Sequence, residues 1–158
     1  MKTLLFFALI ALSFSTQAQQ GAYVGALAAS TELVDCAHCS AEGSAGVDFG
    51  FDVNSVVGLN AKIGFADDFT HAFAGADLGS SFGTGIFRLY GKVGIALLSE
   101  EVPGSREHDS AGSLALGLGL RFTPMGDQKG LYITLESIGS EFYGNALGTT
   151  ALAVGYKF

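Results

Sequence analysis

The sequence contains no tryptophan and only two prolines and two cysteines, and charged residues make up just 15% of its 158 positions. The scarcity of proline excludes collagen-like and most low-complexity chains, although glycine is abundant with 23 residues. Eight lysines and arginines stand against 15 aspartates and glutamates, so the chain lacks the basic surface that nucleic-acid binding requires. Because 49% of the residues are hydrophobic, the chain is not disordered, and its length predicts one domain.

The N-terminal segment has the pattern of a secretory signal peptide. Lys2 precedes an apolar run from Thr3 to Phe14, and small or polar residues follow up to Ala18. We expect cleavage after Ala18, so that residues 1–18 are the signal peptide and residues 19–158 form the folded domain. Those remaining residues contain no uninterrupted apolar stretch of about 18 residues, the length that a transmembrane helix needs. The sequence therefore predicts an exported protein that no helix anchors in a membrane.

Large apolar residues alternate with small or charged residues along most of this domain, which is the period of a β-strand. The alternation is clearest at the C-terminus, where Leu152, Val154, Tyr156 and Phe158 share one face. Eight such segments can be recognised, and we predict a strand for each. They cover residues 21–29, 46–53, 57–65, 72–82, 86–98, 113–122, 131–138 and 151–158.

The connections between these strands alternate in length. Short links are expected at residues 54–55, 83–85 and 124–130. Longer links, rich in acidic residues, are expected at 31–44, 66–71, 99–110 and 139–148. Short turns at one end and long loops at the other are typical of an up-and-down transmembrane β-barrel.

Large apolar and small or polar residues alternate in both soluble and membrane β-sheets, so the alternation does not separate the two architectures. The residues on the second face of the strands do. A soluble sandwich or barrel turns its large apolar face inward, whereas a membrane barrel turns it toward lipid and keeps polar or small residues inside. The second face here carries four acids and five bases among many glycines, and such a balance suits an enclosed interior. These candidate lumen residues are Asp48, Asp52, Asn60, Lys62, Asp77, Arg88, Lys92, Arg121, Glu136 and Lys157.

Four short motifs resemble those of the small outer-membrane β-barrels of Gram-negative bacteria, close in pattern to the transmembrane domain of outer membrane protein A and its single-domain relatives. They lie at residues 50–59, 89–94, 119–124 and 154–158. The resemblance implies an all-β fold, an eight-stranded antiparallel up-and-down transmembrane barrel, located in the outer membrane. It also implies that Val154, Tyr156 and Phe158 form the signal that the barrel-assembly machinery reads.

The same resemblance implies partners. We expect contact with outer-membrane lipid and lipopolysaccharide, and with the barrel-assembly machinery and periplasmic chaperones during biogenesis. We expect a monomer that carries no cofactor and no catalytic residue.

Cys36 and Cys39 flank Ala37 and His38 in the first long link. Haem attachment is excluded because Ser40, and not histidine, follows the second cysteine. A local disulfide formed in the oxidising periplasm is the interpretation we favour. A redox pair, or a zinc site that recruits histidines from neighbouring links, stays as an alternative.

The run His108-Asp109-Ser110 suggests an enzyme, because one class of outer-membrane lipid A deacylases uses a His-x-Ser pair in an eight-stranded barrel. Here Ala111 follows the serine, where that family has asparagine, and the nearest downstream acid is Glu136 on the next strand. Adjacent side chains also point apart, so three consecutive residues do not make a triad. We expect a solvated loop.

The long links carry ten carboxylates and one arginine. The acids are Glu32, Asp35, Glu42, Asp67, Asp68, Glu100, Glu101, Glu107, Asp109 and Glu141, and the base is Arg106. Such runs are usually solvated surfaces. The alternative is that the acids bind divalent cations or cationic partners. Because no EF-hand spacing is present, any binding of divalent cations would be weak.

The sequence and the resemblance together favour a non-enzymatic outer-membrane barrel with a structural or surface-interaction role and a lumen plugged by charge pairs. A narrow or gated porin-like channel is the first alternative, because the many lumen glycines leave room for water. A lipid A-modifying hydrolase is the second.

Overall fold

Eight antiparallel strands pair in chain order and form a closed barrel, because the first strand also pairs with the last. The computed structural model describes residues 21–34, 41–67, 69–101, 108–126, 129–142 and 144–158. The strands are β1 (Gly21–Leu33), β2 (Glu42–Asp52), β3 (Val57–Phe65), β4 (Phe69–Phe82), β5 (Phe87–Glu101), β6 (His108–Phe122), β7 (Gly130–Phe142) and β8 (Asn145–Lys157). The predicted fold class is therefore confirmed. Within the described ranges there is no helix long and apolar enough to cross a lipid bilayer.

The barrel is apolar outside and charged inside. Leu114 and Leu118 on β6 each leave 68% of their surface exposed, whereas Asp77 on β4 is fully buried. The small first strand follows the same phase, with Val24 exposed and Tyr23 buried. A soluble sandwich would show the opposite distribution, because its large apolar side chains are removed from water between the sheets. The large apolar side chains thus face outward and the charged side chains inward, as in a membrane barrel.

Several strands are longer than their hydropathy predicts. Only β3 has the predicted bounds, and β6 begins at His108, five residues before the predicted start at Ser113. The sequence signal fades early because residues beyond a lipid layer need not be bulky and apolar, while the hydrogen-bonded ladder continues. The expected long links are correspondingly shorter, and the prediction that all ten acids lie in loops was wrong. Six of them lie in strands: Glu32, Glu42, Glu100, Glu101, Asp109 and Glu141.

The two ends of the barrel differ. We call the end with residues 53–56, 83–86 and 123–126 the turn end, and the opposite end the loop end. At the turn end the Asn54 side chain accepts hydrogen bonds from the backbone N–H groups of Val56 and Val57, at 2.8 and 2.7 Å. The β4–β5 turn needs positive φ at three successive residues, 62° at Gly83, 57° at Thr84 and 84° at Gly85. Glycine adopts such angles without steric cost, which explains why two of the three positions carry it.

Candidate functional site

The inward face of the barrel carries the candidate site. All ten polar residues assigned to the lumen from the sequence are buried there, none more than 6% exposed. Neighbouring strands hold them at opposed positions, as where Asp48 pairs with Lys62 across β2 and β3. Buried charges are tolerated only when each finds a partner, so the pairing pattern determines what this interior can do.

The first group of charges, the middle cluster, is a chain of alternating signs across the lumen. The Lys62 Nζ donates to Asp48 Oδ1 at 2.5 Å and lies 3.2 Å from Glu136 Oε2. The Lys92 Nζ donates to the same glutamate oxygen at 2.9 Å and lies 3.7 Å from Asp77 Oδ1. Two lysines thus bridge three carboxylates, and the cluster carries one net negative charge.

Neutral side chains complete the coordination of these carboxylates. The Tyr90 hydroxyl donates to Glu136 at 2.5 Å, and the Tyr132 hydroxyl donates to Asp48 at 3.0 Å. The Asn60 amide donates to Asp77 at 2.6 Å. Each acid of the middle cluster therefore accepts from a neutral donor as well as facing a lysine, which lowers the desolvation cost of holding it ionised.

The second group, the lower cluster, lies toward the turn end and has one carboxylate. Asp52 accepts from Arg88 Nη1 at 2.6 Å, from Arg121 Nη1 at 3.0 Å and from Lys157 Nζ, which lies 2.8 Å away. Three cations around one anion leave two net positive charges. The Arg121 guanidinium is also centred 4.1 Å from the Tyr23 ring, and this cation–π contact offsets part of the excess charge.

Three tyrosines that were not among the predicted lumen residues complete the interior. Tyr23, Tyr90 and Tyr132 are 0–3% exposed. Each stands opposite a glycine on a neighbouring strand, namely Gly50, Gly119 and Gly155 in that order. A β-carbon on Gly50 or Gly119 would overlap the facing ring, so these glycines provide the space in which the rings lie. The signal was present in the sequence for Tyr90 and Tyr132, because each shares the phase of the lumen charges on its own strand.

The loop-end part of the lumen is mostly apolar and holds several bulky side chains, which corrects the expectation of a polar or small interior throughout. Leu27, Phe73, Leu98, Ile138 and Phe142 are all buried there, at 4–7% exposure. Together with Lys62, they line a cavity of about 30 Å³. This volume holds about two water molecules. The charged clusters therefore lie beneath an apolar layer.

The other candidate residues do not assemble into a reaction centre in the described part of the chain. Ser110 lies near the loop end of β6, whereas Glu136 stands opposite Gly119, nine residues further along that strand. At about 3.4 Å per residue this separation is about 30 Å, so the serine and the acid do not meet. Cys36, Cys39 and His38 lie outside the described residues, and so do residues 1–18. Within the described ranges no group of three histidine, cysteine or acidic side chains could hold a metal ion.

The loop end carries exposed acids. Glu32, Glu42, Asp67 and Glu141 are exposed at this end of their strands and turns. Of the lysines and arginines in the described ranges, five are the lumen bases, and Lys129 lies beside the turn that precedes β7. The described part of the loop-end surface is therefore negatively charged.

Comparison with known proteins adds one family and several solved structures. The Outer membrane protein beta-barrel domain family matches residues 3–158. The Ail attachment invasion locus protein of Yersinia pestis, solved in complex with the heparin analogue sucrose octasulfate, is 18% identical with a TM-score of 0.62, over 90% of this chain and 100% of that one. The N-terminal barrel of Pseudomonas aeruginosa OprF is 16% identical with a TM-score of 0.64, over 89% and 100%.

Neisserial surface protein A is 14% identical with a TM-score of 0.56, over 87% of this chain and 95% of that one. At these identities the similarity to the solved structures shows a shared fold and does not show a shared function. No curated protein matches the chain.

Proposed function

Because the chain belongs to the Outer membrane protein beta-barrel domain family, we propose that it is a non-enzymatic barrel of the Gram-negative outer membrane with a lumen closed to ions and an acidic outer surface for interactions. In this arrangement the turn end faces the periplasm and the loop end faces the outside of the cell. Residues 1–18 serve as the signal peptide, and Cys36 and Cys39 form a local disulfide.

The ion-pair network carries the proposal of a closed lumen. Lys62 and Lys92 reach across the interior to the same Glu136 oxygen, at 3.2 and 2.9 Å, so the middle of the barrel is bridged from β3 and β5 to β7. The tyrosine rings fill the space between the two clusters, and the apolar layer covers them at the loop end. A permeating ion would have to break several buried pairs, each of which is costly to separate in a poorly hydrated interior.

The separation of Ser110 from Glu136 along β6 and β7 supports a role without catalysis. The acid that such a site would need, Glu136, is occupied by two lysines and the Tyr90 hydroxyl in the middle cluster. We propose that the protein stabilises the outer membrane or presents its acidic end to partners.

The acidic loop end supports cationic partners, including divalent cations held weakly at the lipopolysaccharide surface. The Ail structure contains a sulfated sugar, but Ail shares only the fold at 18% identity. The exposed carboxylates of this chain would repel such a polyanion. Contact with lipid is expected around the apolar outer band, and Val154, Tyr156 and Phe158, all outward-facing, are proposed as the residues that the assembly machinery reads.

Recording from planar bilayers tests the closed lumen. We expect no reproducible conductance steps from the purified, refolded protein under conditions in which a general porin, refolded by the same procedure, conducts. Heat-modifiable mobility on a detergent gel serves as the control for folding. Reproducible steps from the pure, folded protein would favour a narrow or gated channel and overturn the closed lumen.

A further inference from the structure

Strand β6 extends beyond the strand that pairs with it on one side. Its ladder with β5 is continuous from Phe87↔Phe122 to Glu101↔His108. Its ladder with β7 ends at Ala115↔Ser140. Residues 108–114 therefore belong to a regular ladder on the β5 side only, and no other described strand pairs with them on the β7 side.

A side chain marks the point where the two strands separate. The next backbone pair would join Leu114 and Glu141, but the Ser113 hydroxyl stands between them. It accepts from the Glu141 N–H at 3.1 Å and donates to the Leu114 carbonyl at 3.0 Å. The hydroxyl thus replaces one rung of the ladder, and beyond it β6 has an open edge that we define as residues 110–113.

The register fixes which backbone groups this edge presents. The Thr123 N–H donates to the Ile86 carbonyl of the β4–β5 turn, so odd-numbered residues of β6 turn their N–H and C=O toward β5. The ladder has no bulge, and direction alternates along a strand. The N–H and C=O groups of Ser110 and Gly112 therefore point away from β5, in the plane of the sheet, toward the side on which β7 no longer pairs.

The open edge lacks proline, lysine and a bulge, three features with which proteins often block strand pairing. Residues 110–113 are Ser110, Ala111, Gly112 and Ser113, with no proline, no lysine and no bulky side chain. Ser110 and Gly112 are exposed. An extended peptide can add to such an edge through main-chain hydrogen bonds.

The charge around the edge selects among extended peptides. Glu141 is exposed beside the point of divergence, and Glu32, Glu42 and Asp67 are exposed at the same end of the barrel. We propose that the open edge of β6 binds an extended, basic peptide segment of an extracellular partner by β-strand addition. This inference rests on the proposed function in one respect, namely that the loop end faces the outside of the cell. Pairing of two copies is disfavoured because their acidic ends would repel each other.

Binding to the purified protein in lipid nanodiscs tests the proposal without reference to the cell. The probe is a fluorescent octapeptide that alternates valine and lysine. Its controls are the same peptide with N-methyl groups on alternate residues, which cannot form the ladder, and a valine–glutamate peptide. We expect the basic peptide alone to bind. Equal binding of the N-methylated peptide would mean that charge acts without strand pairing and would overturn the proposal.

The substitution Gly112→Pro removes one outward N–H and no hydrogen bond to β5, and Gly112→Ala is its matched control, because it keeps that N–H. A β-carbon here meets the flexible end of Leu97 at 3.1 Å, and its next neighbour is the Ala96 carbonyl oxygen at 4.0 Å. We expect Gly112→Pro to weaken peptide binding about threefold to tenfold relative to Gly112→Ala, the effect of one lost hydrogen bond. Unchanged affinity in a folded Gly112→Pro barrel would contradict edge pairing.

Amide hydrogen exchange on the unmodified protein is an independent measurement. Ser110 and Gly112 should exchange rapidly in the free protein and slow when the peptide is added. Ala111 and Ser113, which face β5, should be slow in both states. No protection of Ser110 and Gly112 at saturating peptide would overturn the proposal.

Intact cells expressing the protein should bind the basic peptide as well. If the peptide binds the protein in nanodiscs but does not bind intact cells, the outward placement of the loop end is overturned. Strand addition itself would still be supported.

Discussion

At the scale of single residues, the interior depends on carboxylates that serve several cations at once. Asp52 is the one carboxylate of the lower cluster, and Glu136 joins both lysines of the middle cluster. Removing such an anion leaves charges of one sign buried together, which costs more than the pair itself contributes. The acids at the loop end differ, since water solvates them.

The lower cluster therefore gives a prediction for Asp52→Asn. The substitution keeps the shape of the side chain but leaves Arg88, Arg121 and Lys157 without a buried anion. We expect the free energy of unfolding, measured by urea titration in lipid vesicles, to fall by about 3–5 kcal/mol. Glu32→Gln, which removes an exposed carboxylate, should change it by less than about 0.5 kcal/mol. Equal effects of the two substitutions would contradict the buried role of Asp52.

At the scale of strands, the interior is organised by pairs of tyrosine and glycine on neighbouring strands. Tyr90 on β5 lies over Gly119 on β6, and its hydroxyl reaches Glu136 on β7. One tyrosine thus connects three strands, but only because the facing residue has no side chain. The glycines of this chain that face the lumen are part of its packing and not a sign of a flexible sheet.

A matched pair of substitutions tests this packing. Gly119→Ala places a methyl group against the Tyr90 ring and should displace its hydroxyl from Glu136. We expect a loss of about 1–3 kcal/mol in unfolding free energy. Gly139→Ala on the outer face of β7, whose nearest atom is the Leu116 carbonyl at 3.8 Å, should be close to neutral. A tolerated Gly119→Ala together with a retained Tyr90–Glu136 bond would show that the ring has room to move.

At the scale of the whole molecule, the barrel has an apolar outer band with aromatic residues at its turn end. The Phe87 ring lies 5.6 Å from Phe82 and 5.1 Å from Phe122, and the Tyr156 ring lies 5.3 Å from Phe158. Aromatic rings concentrate where a membrane barrel meets the lipid headgroups. The band therefore marks the depth at which this barrel sits.

Arginine substitutions at two heights on β6 test that depth. Leu118 faces outward within the apolar band, and Ser110 is exposed near the loop end. We expect Leu118→Arg to lower the free energy of unfolding in lipid vesicles by about 2–4 kcal/mol, and Ser110→Arg by about 0–1 kcal/mol. Similar small losses at both positions would mean that this face does not contact lipid, and would favour a soluble sheet.

The bounds of the strands were predictable where contact with lipid requires the outward residues to be apolar. The bounds of β3 agree with the prediction because its outward residues stay apolar or small to its end. The extension of β6 to His108 was missed because serine, glycine and alanine give no alternation there. The disulfide and the signal peptide stay predictions, since both fall outside the described residues.

The candidate site was predictable in its members but not in its connections. The phase of each strand identifies the ten inward polar residues, because a two-residue period fixes the side of the sheet. It does not say that Lys62 of β3 meets Glu136 of β7, since that contact crosses the lumen between strands that are not neighbours. The open edge of β6 was likewise invisible, because it depends on where the pairing with β7 stops.

The sequence by itself determined that the chain alternates, that one face is apolar and that the other holds nearly balanced charges, because these properties are local to each strand. The tertiary structure decided the rest. Closure of β1 on β8 turned the charged face into an enclosed interior, and that enclosure made every buried charge depend on a partner across the barrel. Such partners are chosen by three-dimensional proximity, which no periodicity along one strand contains.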